Sequence, residues 1–324
     1  MAVAIVLGSS GGDPDRLGYG DGLIYRYVAA NLTTPPEDIH PVVEVRGTSL
    51  RYGRIGLPIL IWLGSAGQND AMPYVQSAIL VIAAGAAGAA LVVMFPGAGP
   101  LAALAPFLIP GFVMTLAGGF AEALAVALVL WAVIMAMRER WWACAGLIAF
   151  ALLTRENVAW LALGLFAWLI LRRRYRGAAI LTTAVVPLIG WYAVVAARFG
   201  HVPLLDPYLR TETDTVGVPL LAPIRSLIDG FATPSVIVAA AHIALAIVAF
   251  ALAGRSMLGF LAAATAAQML ITGPFAWRFV GEGVRTAVFI QTFTLLALIA
   301  WRRPAWTAPE ALVRPFRHRT QEAS

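Results

Sequence analysis

Residues 141–171 read WWACAGLIAFALLTRENVAWLALGLFAWLIL. Two apolar runs, 141–153 and 157–171, are split by Thr154-Arg155-Glu156-Asn157. As helices, each run is about 20 Å long, short against a hydrocarbon core of about 30 Å. The break between them then falls below the membrane surface, inside the protein. Charge and irregular backbone at that depth are tolerated only where they are buried in protein or line a wet cavity. The plainer alternative is an outer turn carrying a surface ion pair.

The rest of the chain agrees with a membrane setting. Of 324 residues, 60% are apolar and 12% charged, and the mean hydropathy is +0.81. Soluble domains sit nearer 45–50% apolar and about 25% charged. An ordinary soluble protein, a disordered chain and a coiled coil are excluded. Further apolar runs lie at 74–95, 100–116, 119–137, 177–198, 232–253, 256–273 and 284–301, which makes nine in all. The expected fold is all-α, a polytopic transmembrane helical bundle over 74–301.

Every basic residue is Arg, and the net charge is +6. The Arg clusters stand at particular ends of the runs: Arg138 with Arg140, Arg172 to Arg174 with Arg176, Arg255, Arg302 with Arg303, and then Arg314, Arg317 and Arg319. The positive-inside rule puts all of them in the cytoplasm. Nine alternating crossings then place residues 1–73 and the loop 199–230 outside, and the basic tail 302–324 inside. Clusters spread over helix ends, rather than gathered in one basic domain, argue against a nucleic-acid partner. The single cysteine, Cys144, allows no disulfide within the chain and no cysteine zinc cluster.

Ile55 to Gly64 is too short to cross and would break the parity, so it reads as a juxtamembrane helix on the outer face. A second such helix is expected over Gly22 to Asn31, where Ile24, Tyr25, Val28 and Ala29 form an apolar stripe. Met1 to Leu7 is apolar but too short to span. It is either a harmless apolar end or the end of a first transmembrane helix whose start is missing. The two outer stretches carry Asp13, Asp15, Asp21, Glu37, Asp38, Glu44, Asp70, Asp206, Glu212, Asp214 and Asp229, eleven of the seventeen acidic residues.

A charge at a helix centre costs about 2.5–3.5 kcal/mol, so charges within spans need a reason. Glu122, about one turn inside its helix, is either a snorkelling end residue or a carboxylate facing an outward cavity. Asp21 lies between Gly20 and Gly22 and is either a turn residue, a helix cap or a reactive group that flanking glycines let approach a substrate. Arg51 and Arg54, three apart, share a face if helical and suit a phosphate, whether on a substrate or in lipid headgroups.

Taken in order, Asp21 to Tyr25, Arg51 to Pro58, Glu122 to Ala125 and Leu153 to Glu156 make a pattern. It reads D-G-x-x-Y, R-Y-x-R-I-x-x-P, an acidic residue opening a helix, and L-T-R-E. This resembles the polytopic GT-C glycosyltransferases, and bacterial proteins similar to the mannosyltransferases of lipid-anchor assembly most of all. Val186 to Gly200, with Trp191-Tyr192 and Arg198-Phe199-Gly200, is also similar. Together these stretches order about two thirds of the chain.

The resemblance implies a GT-C-like bundle with juxtamembrane helices in the first extracytoplasmic loop and a cavity opening outward. It implies a polyprenyl-phosphate sugar donor, a lipid, glycan or protein acceptor, and an inverting transfer in the bacterial plasma membrane. The family's catalytic Asp falls on Asp21, and its phosphate-binding Arg positions on Arg51, Arg54 and Arg155. Tyr25, Glu122 and Glu156 join the substrate-binding set. The two glutamates would hold sugar hydroxyls, fix Arg155, or bind magnesium or manganese with Asp21, and these stay open. Where the family has a first spanning helix, this sequence has only Met1 to Leu7. The rival readings are a transporter or flippase of lipid-linked substrates, and a non-catalytic membrane scaffold.

Overall fold

A computed structural model describes residues 1–13, 21–34, 48–205, 233–271 and 280–307. Asp15, Gly20, Glu37, Asp38, Glu44, Asp206, Glu212, Asp214, Asp229 and the tail beyond Thr307 lie outside the described residues. Among the described residues there is no strand.

Four short helices come first: α1 (Ala2–Ser9), α2 (Asp21–Ala30), α3 (Thr48–Gly53) and α4 (Gly56–Gly64). The bundle follows with α5 (Met72–Met94), a 3-10 segment (Pro96–Leu108), α6 (Pro110–Ala117), α7 (Glu122–Met137), α8 (Trp141–Thr154) and α9 (Val158–Leu171). It continues with α10 (Tyr175–Thr182), α11 (Val186–Phe199), α12 (Thr233–Leu252), α13 (Met257–Ile271), α14 (Val280–Thr286) and α15 (Val288–Arg302).

Two helical stretches are long and apolar enough to cross a membrane: Asn69–Met94, which includes α5, and Tyr175–Phe199, which joins α10 to α11. The run expected to cross over 100–116 is instead a 3-10 segment and α6, bent by 67°. The cause is local. Ile109 precedes Pro110, whose ring disfavours the helical region for its neighbour, and Ile109 is extended at φ −98° and ψ 108°. Counted as one broken span, this pair makes a third. Helices α7, α8, α9, α13 and α15 are apolar but shorter, at 14 to 16 residues. Ile82, Leu108, Leu163, Leu171, Val186, Ile189, Ile237 and Ile247 are exposed on the outside of the bundle, an apolar surface that points to membrane association.

Helix α7 is the centre of the packing. It is buried almost all round, it lies against α5 and α8, and its buried residues include many small ones such as Ala123, Ala125, Ala127 and Ala132. Small side chains let the backbones approach closely, which is how apolar helices gain packing contacts where burial from water no longer discriminates. Helix α1 packs against α5 and α6.

The α7–α8 and α9–α10 turns close on Glu139 and Arg173, both left-handed at φ 56°. An exposed ion pair of 2.5 Å between Arg174 and Glu139 joins the two turns. Such a pair adds little stability but shows that the turns are neighbours. Arg255, before α13, and Arg302, ending α15, both stack on Trp301. Helices α8 and α9 meet at the other end, at Thr154 to Asn157.

Over that other end lies a layer made by α2, α3 and α4. Of the expected stripe on α2, Tyr25, Val28 and Ala29 are buried and Ile24 is half-buried. Helix α3 is tied to α11 by the Trp191 indole N–H, which donates to the Tyr52 carbonyl at 2.7 Å. The Arg198 guanidinium donates to the Leu32 carbonyl at 2.7 Å and stacks on the Tyr52 ring.

Candidate functional site

Under this layer the structure gathers seven charged groups. Asp21 opens α2, Arg51 sits on α3, and Arg54 lies between α3 and α4. Glu122 opens α7, Arg155 and Glu156 lie at the break between α8 and α9, and Arg285 is in the last turn of α14. All seven are largely buried, from 0% side-chain exposure at Glu122 to 26% at Glu156.

Asp21 is the hub. Arg51 donates from Nη1 to Asp21 Oδ1. Arg285 Nη1 and Arg54 Nη1 donate to Asp21 Oδ2 at 3.1 and 3.4 Å. Arg155 Nη1 stands 4.0 Å from the same oxygen. Around this hub are two further pairs. Arg54 grips Glu156 with a fork, Nε to Oε2 at 2.9 Å and Nη2 to Oε1 at 2.5 Å. Arg155 Nη2 lies 3.0 Å from Glu122 Oε1, with Arg285 Nη1 at 3.6 Å from that oxygen. Arg155 Nη1 also donates to the Tyr25 hydroxyl at 3.3 Å.

The sequence-expected residues Asp21, Tyr25, Arg51, Arg54, Glu122, Arg155 and Glu156 therefore all meet in one place. Three details differ from expectation. Arg51 and Arg54 do not share a helix face, because α3 ends at Gly53; they converge on Asp21 from either side of that end. Glu122 does not snorkel to a surface; it is fully buried and faces Arg155. Gly22 does approach another backbone closely, but that backbone is protein: a Cβ there would lie 2.1 Å from the Gly118 carbonyl oxygen. Asp13 lies in the turn after α1, where Gly11 and Gly12 have φ of 64° and 84°.

Local backbone explains the gathering. Arg155 is extended, at φ −151° and ψ 122°, so α8 stops and its side chain turns into the protein. Gly56 admits the end of α8: a Cβ there would lie 2.2 Å from Thr154 Oγ1. That contact brings Arg54 beside Glu156.

Arg285 was not foreseen. Its guanidinium stacks 4.3 Å from the Phe120 ring centroid and bridges Asp21 and Glu122. The signal was present, since Arg285 stands at the start of the last apolar run, where the rule that singled out Glu122 also applies.

The charges count four guanidiniums against three carboxylates, a net of +1. Burial pushes the Asp21 carboxyl up, but Arg285, Arg51, Arg54 and Arg155 outweigh it and hold the group well below the usual carboxylate range. Arg51 Nε and Arg155 Nε are buried without a hydrogen-bond partner among the described residues. A buried excess of guanidinium N–H groups is a setting for an anion.

It is a poor setting for magnesium or manganese. Each carboxylate is already faced by guanidiniums, which would repel a divalent ion. Among the described residues, no group of three carboxylate, histidine or cysteine side chains is placed to hold a metal.

Comparison with protein-family models, with curated proteins and with solved structures finds no match to this chain.

Proposed function

We propose that this chain is a multi-pass protein of the bacterial plasma membrane. In this reading it moves a sugar from a polyprenyl-phosphate donor to an extracytoplasmic lipid, glycan or protein acceptor, with inversion. The observation that carries the proposal is the buried cluster of net charge +1 at the end of an apolar bundle opposite its Arg-rich turns. The positive-inside rule puts that end outside the cell. It is where the phosphate of a lipid-linked substrate can reach both the buried cluster and a polar acceptor.

The chemistry follows from the charges. The donor phosphodiester is a monoanion, and the cluster carries one positive charge in excess. The guanidiniums of Arg51, Arg54, Arg155 and Arg285 bind its oxygens and hold the growing negative charge as the bond to the anomeric carbon breaks. The acceptor hydroxyl attacks from the opposite face, its oxygen bonds to the anomeric carbon, and its proton passes to an Asp21 oxygen. The lipid phosphate leaves with the electron pair of the broken bond.

Asp21 is tied down before the donor arrives, since guanidiniums occupy both its oxygens. A phosphate competes for those N–H groups and loosens them from Asp21. The base is thereby released only when a donor is present. Glu122 and Glu156 keep Arg155 and Arg54 aimed at the site throughout, and burial keeps water from the anomeric carbon.

The test is incubation of the purified protein with a panel of polyprenyl-phosphate sugars, together with crude membrane acceptors, following loss of the sugar from the lipid. The proposal expects loss from at least one donor, with inversion at the anomeric centre. No loss from any member of the panel, by protein that is folded, would overturn it.

A further inference from the structure

Gln76 sits on α5, 0% exposed, in a helix that is otherwise apolar through its middle. Its amide nitrogen donates to two carbonyls from distant parts of the chain, Gly22 at 3.1 Å and Gly119 at 2.7 Å. The amide can point only one way. Reversed, its oxygen would face two carbonyl oxygens at those distances, acceptor against acceptor.

Both partners adjoin the site. Gly22 follows Asp21 in the first turn of α2, and Gly119 lies three residues before Glu122, just ahead of α7. The two segments also touch directly, because the missing side chain of Gly22 leaves room for the Gly118 carbonyl. Asp21 and Glu122 share Arg155 and Arg285, so both carboxylates must be held close in spite of their like charge. Burying a polar amide in an apolar helix costs free energy unless it is hydrogen-bonded. Here both N–H groups donate and both act on this one junction, while the amide oxygen is buried without a hydrogen-bond partner among the described residues.

We infer that Gln76 is a positioning residue: its amide staples the start of α2 to the entry of α7 and so sets Asp21 against Glu122. The inference rests on the reading of Asp21 as the base of a transferase. Its hydrogen bonds go to backbone carbonyls, so it acts through the backbone on which two charged groups of the cluster are carried.

Gln76→Leu keeps much of the volume and removes both donors. In the full-length protein, kcat is expected to fall by about 10- to 100-fold, as a displacement near 1 Å does, while the KM for donor stays within about threefold. Gly22→Ala pushes on the same junction from the other side. The double variant is therefore expected to lose no more kcat than the stronger single variant. Gln76→Asn is shorter by one methylene and cannot span both carbonyls. It carries the same expectations if the leucine variant fails to fold.

A second readout needs no transfer. Asp21→Asn and Glu122→Gln are combined in a thermal-melt cycle, first in wild-type protein and then with Gln76 replaced. The shifts are expected to be non-additive in the first and additive in the second. A folded Gln76 variant with wild-type kcat, or an unchanged melting cycle, overturns the inference. If wild-type protein transfers no sugar, the functional reading falls, and the melting cycle alone decides the role of Gln76.

Discussion

Asp21→Asn is expected to bind polyprenyl phosphate at least as tightly as the wild type, yet to turn over about 100-fold more slowly or worse. The two halves of that result come from the same ion pairs. Removing one carboxylate charge leaves four guanidiniums facing two carboxylates, Glu122 and Glu156, so the cluster goes from a net of +1 to +2. The guanidiniums lose their internal competitor, and an incoming phosphate meets less resistance. The amide cannot take a proton, so the acceptor hydroxyl is not activated. Measured together, donor affinity by equilibrium binding and kcat by sugar release separate this from a structural role. If Asp21 only held α2 in place, affinity and turnover would fall together.

The pH dependence has a definite sign. The folded-state pKa of Asp21 is depressed, so the carboxylate is ionised well below its ordinary pKa of about 3.9. Its ion pairs stabilise the fold fully above that ordinary value, and the stabilisation is lost progressively as pH falls from there toward the lower, folded-state value. The melting temperature of the wild type should therefore lose more as pH falls from 5 to 3 than that of an Arg285→Met protein, whose Asp21 carboxyl is held down less because its strongest opposing cation is gone.

Arg155→Ala is expected to be the most damaging change for stability, at about 3–5 kcal/mol, because it strands Glu122 as a buried charge. Glu122 is fully buried, and its nearest cation is Arg155 at 3.0 Å; Arg285, at 3.6 Å, remains and moderates the loss. Adding Glu122→Gln should restore much of that stability without restoring donor binding. Arg155→Lys keeps the charge but not the planar fork, so it should fold and bind donor more weakly. Chemical denaturation of the two single variants and the double variant measures the first effect, and donor titration the second. An Arg155→Ala protein as stable as the wild type, with unchanged donor affinity, would remove this residue from the site.

Much of this was legible from the sequence because charge inside an apolar run is conspicuous. Arg155 and Glu156 interrupt the otherwise hydrophobic stretch 141–171, and the structure puts the helix break there. The α2 stripe was legible because Tyr25, Val28 and Ala29 recur at helical spacing. Other features were hidden by the same coarse reading. The run over 100–116 is apolar throughout, so it reads as a span, and only the local geometry at Ile109 and Pro110 decides that it bends. Arg285 was absorbed into a helix end, where an Arg is ordinary. Gln76 is uncharged and lies among apolar neighbours, and its role depends on two backbone carbonyls that are 54 and 43 residues away along the chain. No local pattern encodes such partners. Arg198 belongs to a similar stretch, but its grip on the Leu32 carbonyl is likewise a fact of the fold.

The central claim is that the guanidinium cluster is the seat of a lipid-linked phosphate. Polyprenyl phosphate, which carries no sugar and so undergoes no transfer, tests it most directly by phosphorus-31 NMR titration onto the purified full-length protein. Wild-type and Asp21→Asn proteins are expected to shift and broaden the phosphorus signal with one site per chain. Arg285→Met and Arg155→Lys should weaken that site by about tenfold or more each, the scale of one charge-assisted hydrogen bond, about 1.5–3 kcal/mol. An equal shift at equal affinity in all four proteins would place the phosphate elsewhere and contradict the account.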